Sequence, residues 1–298
     1  MSIVVLCGGL GGSRCVDALA RAAGPEEITA IGNVGDDLEI LGLHVSPDLD
    51  TVLYTLAGLL DEERGWGVRN ETYSALARAG ELGGETWFTL GDRDIGLHLV
   101  RTSLLRVGQA LSEVTGRLAG ALGVRARLLP ATDDRLRTKL MTAEGELDFQ
   151  EWFVARGHRD RVESVRYEDA EDAAPAPGVL EAIRDAELVV IAPSNPFVSI
   201  RPILAVPGIR AAVAVKRVAA ISPLAGGKAF RGPLVGMLDS LGYAPTPTGV
   251  AQVYGELVDM FVVAPGDEGP PGALACDIDM VDPARRAEVG GKLLEALL

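Results

Sequence analysis

Residues 3–7, Ile-Val-Val-Leu-Cys, are apolar without interruption and run into an expected glycine loop, Gly8-Gly9-Leu10-Gly11-Gly12; after it, apolar positions recur at helical spacing from about residue 13 to residue 23. A short apolar run that ends in glycines and is followed by an amphipathic stretch predicts a strand buried on both faces and its crossover helix. A second apolar run at 28–31 repeats the strand. The alternation returns late in the chain, where runs at 188–192, 218–221 and 258–263 predict strands and 283–298 predicts a closing helix. Strands separated by helical stretches predict an α/β fold with a Rossmann-like open parallel sheet.

The middle of the chain has a different pattern. Helical spacing predicts helices at 51–60, 71–79, 95–109 and 111–122, followed by β-like pieces at 125–129, 149–154 and 162–167. The expected organisation is a nucleotide-binding core of residues 1–51 and 171–298 that carries an α+β insertion of residues 52–170. Ala-Ala-Pro-Ala-Pro at 173–177 marks the expected return to the core.

Composition narrows the function classes. Of 298 residues, 48% are hydrophobic but only 5% aromatic, so Ala, Val, Leu and Gly must fill most of the core. The formal net charge of −14 argues against a broad basic face for nucleic acid. An anionic ligand then requires a local Arg or Lys, a helix N-terminus or a divalent cation. The three cysteines, Cys7, Cys15 and Cys276, form no C-x-x-C pair, and with three histidines neither a disulfide framework nor a zinc site is expected. The first strand begins at once, with no basic leader, and no run approaches the length of a membrane span, so a cytoplasmic protein without a membrane partner is expected. The sequence leaves the oligomeric state open, with a homodimer among the arrangements it allows.

Four segments carry candidate chemistry. Gly9, Gly11 and Gly12 let backbone approach a ligand closely at the start of a helix, or simply make a tight strand-to-helix turn. They form no dinucleotide fingerprint, because Arg14 stands where the third glycine belongs, and no P-loop, because no G-K-[ST] follows. An acidic cluster, Gly35-Asp36-Asp37 and Pro47-Asp48-Leu49-Asp50, supplies oxygen ligands of the type that hold Mg²⁺ together with substrate phosphates. Asp50 also stands where a helix begins and is open to a capping role. Trp87-Phe88-Thr89-Leu90-Gly91-Asp92-Arg93-Asp94 leads into His98 and Arg101, which share a helix face. Ser194-Asn195-Pro196 and Gly226-Gly227-Lys228 both follow late strands, the edge at which open α/β sheets bind ligands.

Taken in order, these segments resemble the 2-phospho-L-lactate transferase family of coenzyme F420 biosynthesis, including its mycobacterial-type phosphoenolpyruvate members. The resemblance adds Tyr54-Thr55-Leu56-Ala57-Gly58, Arg64-Gly65-Trp66-Gly67, 111–115, 149–154 and Val198-Ser199-Ile200, so it spans nearly the whole chain. It implies a guanosine diphospho donor, Mg²⁺, a deazaflavin alcohol acceptor called Fo, and release of GMP. By position it implies Asp36 and Asp50 at the metal, with Asp37 and Asp48 behind them. It further implies Asp50, Arg93 and His98 around Fo, and Gly9, Gly11, Gly12, Ser194, Asn195 and Lys228 around the nucleotide. Asp50 is the candidate catalytic base only insofar as the metal leaves it free. Arg201 replaces the glycine usual in the family and is expected to add a phosphate contact or to narrow the donor site. Two rivals stand beside this reading: a non-catalytic nucleotide-sugar-binding regulatory protein of related fold, and a nicotinamide dehydrogenase, which the incomplete fingerprint disfavours.

Overall fold

The computed structural model describes residues 1–226, 228–229 and 232–298. Its centre is a sheet of seven strands: β1 (Ile3–Cys7), β2 (Ile28–Gly32), β3 (Arg127–Pro130), β4 (Leu188–Ile191), β5 (Val218–Ile221), β6 (Met260–Val263) and β7 (Leu274–Ala275). All pairings are parallel, in the order β7-β6-β5-β4-β1-β2-β3. Every residue of β1, β4 and β5 is buried, which accounts for their unbroken apolar runs. The chain builds outward from β1 to β3 on one side, then crosses back to β4 and builds outward on the other. The order therefore reverses between β1 and β4, and the loops leaving those two strands splay apart at their carboxyl ends to open a crevice.

The helices that bear on the site and its packing are α1 (Gly9–Ala23), α2 (Pro47–Leu56), α3 (Asp92–Arg106), α4 (Leu111–Ala121) and α5 (Arg286–Leu297), of which α1, α2 and α3 line the crevice. Helix α1 packs against both α2 and α5. A small hairpin, Leu38–Ile40 with Leu43–Val45, follows β2. A three-stranded antiparallel sheet is made from Arg137–Thr142, Gly145–Asp148 and Val162–Glu168.

Three expectations are corrected. Residues 52–170 are not one inserted body, because β3 within them pairs with β2 and forms the edge of the main sheet. The segment at 149–154 is helical, with a π-type turn over Glu151–Ala155. Its apolar residues Phe149, Trp152 and Phe153 are spaced by three and four, the spacing of a helix face rather than of a strand. The glycine segment after β1 is not a loop, since α1 already begins at Gly9.

Candidate functional site

The crevice between β1 and β4 opens into a cavity of about 720 Å³. Its floor is made by Gly8, Gly9 and Gly11 after β1 and by Pro193, Ser194 and Asn195 after β4. One wall carries Asp36, Asp48 and Asp50; the helical wall carries Tyr54 from α2 and Asp94 and His98 from α3. Four aromatic residues, Trp66, Phe88, Phe149 and Phe153, also line it. Phe149 and Phe153 lie parallel, with ring centres 5.4 Å apart.

The glycines exist because three chain segments touch here. A β-carbon on Gly8 would fall 2.2 Å from Oδ2 of Asp48, and one on Gly11 only 2.3 Å from the Pro193 carbonyl oxygen. Gly12 is tight for the same reason, against Ser194 Oγ at 2.7 Å, but does not line the cavity. The Gly8 N–H donates to Ser194 Oγ at 3.2 Å and the Gly9 N–H to Asp48 Oδ1 at 2.5 Å. A helix leaves its first N–H groups without intrahelical partners, so those of Leu10 and Gly11 remain at the N-terminus of α1 to meet an anion.

The acidic wall is organised by one amide. Asn33, at the end of β2, donates through Nδ2 to Asp36 Oδ1 at 3.0 Å, Asp48 Oδ2 at 2.9 Å and the Val198 carbonyl at 3.1 Å. Gln150 Nε2 donates to the other Asp36 oxygen at 3.0 Å. Asp37 accepts from Ser46 Oγ at 2.8 Å and lies 3.1 Å from His44 Nε2, while its Oδ1 is buried without a partner. Burial, and then the neighbouring charges of Asp48 and Asp37, holds Asp36 well above the usual carboxylate range. Burial pushes Asp48 up to about 7, against the lowering effect of the Asn33 and Gly9 donors.

Among the described residues, no group of three or more His, Cys, Asp or Glu side chains is placed to hold a metal ion. A magnesium ion does not require such a group, because it takes one or two carboxylates and leaves the remaining positions to water and substrate phosphates. Asp36 and Asp48, buried on the shared amide of Asn33 and lining the cavity, fit such an ion as a pair. Asp50 does not fit in the same way. Both its oxygens receive the guanidinium of Arg101, one at 2.9 Å and one closer still, and both residues are buried. Arg101 also lies 3.3 Å from His98 Nδ1, and His98 Nε2 lies 3.1 Å from Asp94 Oδ1, which accepts from the Tyr54 hydroxyl. The result is a chain of buried polar groups, Asp50-Arg101-His98-Asp94-Tyr54, linking α2 to α3.

A family model described as 2-phospho-L-lactate transferase CofD matches residues 3–275. The chain belongs to this family. It is a transferase of coenzyme F420 biosynthesis. A phosphoenolpyruvate transferase from Kitasatospora aureofaciens is 46% identical over 277 residues, covering 90% of this chain and 86% of that protein. One from Thermobifida fusca is 42% identical over 316 residues, covering 100% of this chain and 98% of that protein. Among solved structures, the crystal structure of a UPF0052 family member from Bacillus halodurans superposes with a TM-score of 0.61 at 21% identity, over 90% of this chain and 81% of that one, a likeness of fold.

Of the residues singled out in the sequence, the transferase brings Gly9, Gly11, Asp36, Asp48, Asp50, His98, Ser194 and Asn195 to one cavity. Arg93 is placed apart from them: its exposed side chain borders a separate cavity of about 300 Å³ with Leu97 and Leu118, and its nearest polar partner is the Arg69 carbonyl at 3.4 Å. On α3 it sits one residue before Asp94, about 100° round the helix from the face that turns inward. Arg201 is also placed apart. It lies over the Phe197 ring at 5.4 Å and donates to the Val253 carbonyl, away from the cavity lining. The hairpin at Leu224–Ala225 and Lys228–Ala229 is formed, but Gly227 and the Lys228 side chain lie outside the described residues.

The sequence does not single out Asn33 and Gln150, which hold the acidic wall. Asn33 had a signal, a polar residue directly after a buried strand and three positions before Asp36. Gln150 had none, since 114 residues separate it from the carboxylate it holds.

Proposed function

We propose that the protein transfers an enolpyruvyl-phosphate unit from a guanosine diphospho donor to the terminal ribityl hydroxyl of Fo, releasing GMP, with Mg²⁺ as cofactor. The observation that carries this reading is the meeting, in one cavity, of the buried Asp36–Asp48 pair with the open N-terminus of α1. The naming of the relatives as phosphoenolpyruvate transferases supports the choice of three-carbon acid.

When bound, the cation supplies positive charge that screens the diphosphate from the acidic wall. The chain's own groups do the rest of the positioning. The free N–H groups of Leu10 and Gly11 face the diphosphate, and Ser194 and Asn195 hold the nucleoside side at the end of β4. The Asn195 side chain is partly committed, since its oxygen accepts from the Phe197 N–H at 2.9 Å. The acceptor ring fits the helical side of the cavity, between Phe88, Tyr54 and His98, where apolar walls carry a few fixed polar groups. Asp50, tied to Arg101, acts there by holding His98 and α3 in place rather than as a free base. Phosphoryl transfer asks mainly for alignment and charge stabilisation, and this arrangement provides both.

Calorimetric titration with GDP, ADP and UDP, in the presence of Mg²⁺, tests the donor assignment, and fluorescence titration with Fo tests the acceptor. The expected result is GDP and Fo binding with little affinity for ADP or UDP. Tight binding of a UDP-sugar without binding of GDP or Fo would replace the transferase donor by that of a nucleotide-sugar sensor.

A further inference from the structure

The cavity that must accept a polyanion is lined by Asp36, Asp48, Asp50, Glu62, Glu63 and Asp94. Among the described lining residues, the only Lys or Arg is Arg14, on the second turn of α1. Its side chain is 90% buried, and its Nε has no hydrogen-bond partner. Only one of its terminal nitrogens is engaged, by Glu62 Oε2 at 2.9 Å. Glu62 is in turn held from behind by Arg286, which donates to Glu62 Oε1 at 2.6 Å and to Asp17 Oδ2 at 3.0 Å and is itself fully buried. A guanidinium has five N–H donors in a planar fork matched to carboxylate and phosphate. Leaving a buried one short of partners costs free energy, so a site that does so holds donors ready for something else.

We propose that Arg14 is the specificity-determining cation of the donor site, using the terminal nitrogen that Glu62 leaves unengaged to bind an oxyanion of the donor. Glu62, clamped by Arg286, fixes the orientation of the guanidinium without consuming its whole fork. The oxyanion is either the diphosphate or the carboxylate of the three-carbon acid; both offer paired oxygens to the same planar donor. This assignment rests on the donor reading above. It explains how a cavity with so many carboxylates selects an anion: the cation site compensates one fixed oxyanion rather than attracting charge in general.

The test is a cycle in which the ligand and the side chain are both stripped of charge. Guanosine, GMP, GDP and the intact carboxylated donor are titrated calorimetrically into wild type and Arg14→Gln with Mg²⁺ present. Arg14→Gln should bind guanosine as wild type does and should lose about 10- to 100-fold in affinity for an anionic ligand, the worth of a hydrogen bond to a charged group. A loss for GDP and donor alike assigns the diphosphate; a loss confined to the carboxylated donor assigns the carboxylate; both support the proposal. An equal loss for guanosine would make Arg14 merely structural, and no loss for any ligand would remove it from the site; either overturns the proposal. If Arg14→Gln does not fold, Arg14→Lys carries the same test, since it retains the charge without the fork and should show a smaller loss on the same ligands. Failure of wild type to bind any guanine ligand would instead refute the donor reading itself, a separate outcome.

Discussion

Replacing Asp50 with Asn separates two roles that the sequence assigns to one residue. If Asp50 is chiefly the counter-ion of Arg101, the substitution leaves a fully buried guanidinium facing a neutral amide. Breaking one side of a buried ion pair costs about 3–5 kcal/mol, because the remaining charge stays desolvated. Unfolding entropy of about 2.1 cal/mol/K per residue over 298 residues gives roughly 0.6 kcal/mol/K, so the melting temperature should fall by about 5–8 °C. Arg101→Met should cost a similar amount, by stranding Asp50 beside the acidic wall. The double variant Asp50→Asn/Arg101→Met should recover much of the loss, since neither charge is then buried alone. Differential scanning calorimetry of the four proteins with a chelator present measures this directly. A melting point within about 1 °C of wild type for Asp50→Asn, together with a collapse of Mg²⁺ affinity, would show that Asp50 serves the metal and that the ion pair is expendable.

Three further predictions follow from the same geometry. Asp48 has a folded pKa near 7 against an ordinary value of 3.8, so between those values the folded chain keeps a proton that the unfolded chain has lost. Stability without metal should therefore fall as pH rises from about 4 to 7 and level off above it; Asp48→Asn should flatten that slope, and Mg²⁺ should raise the melting temperature more at pH 7.5 than at pH 5.5. Gly11→Ala would drive a methyl into the Pro193 carbonyl and should cost about 1–3 kcal/mol in urea unfolding, whereas Gly116→Ala, on an exposed turn of α4 with nothing within 4 Å, should stabilise by up to about 1 kcal/mol. Arg93→Ala should leave Fo affinity unchanged within about twofold in a fluorescence titration, because Arg93 lies outside the main cavity.

What the sequence reveals and what it hides divide along physical lines. The unbroken apolar runs of β1, β4 and β5 announce strands buried on both faces, and the glycines after β1 announce a close approach of chain segments. Those signals are local, and they also locate the crevice, because the carboxyl ends of β1 and β4 are where such sheets open. The partners that decide each carboxylate's role are distant: Asp50 meets Arg101 across 51 residues and Asp36 meets Gln150 across 114. Asp36, Asp48 and Asp50 look equivalent in the sequence, and only packing separates the pair on Asn33 from the one on Arg101. Arg93 and Asp94 are adjacent in the chain, yet one helical step sends them to different cavities. The strand β3 is legible as the β-like piece at 125–129, but its place in the main sheet is hidden: its four residues follow four predicted helices and carry no alternation to mark them as an edge of that sheet.

A single-turnover experiment reads the transfer itself. Purified protein is mixed with the guanosine diphospho donor, Fo and Mg²⁺, and the mixture is resolved by liquid chromatography with mass detection. An Fo adduct carrying the phosphate and three-carbon acid is expected, formed one for one with GMP and suppressed by Asp36→Asn and by Asp48→Asn. Donor left intact beside unmodified Fo, or GMP released with no Fo adduct, would contradict the transfer.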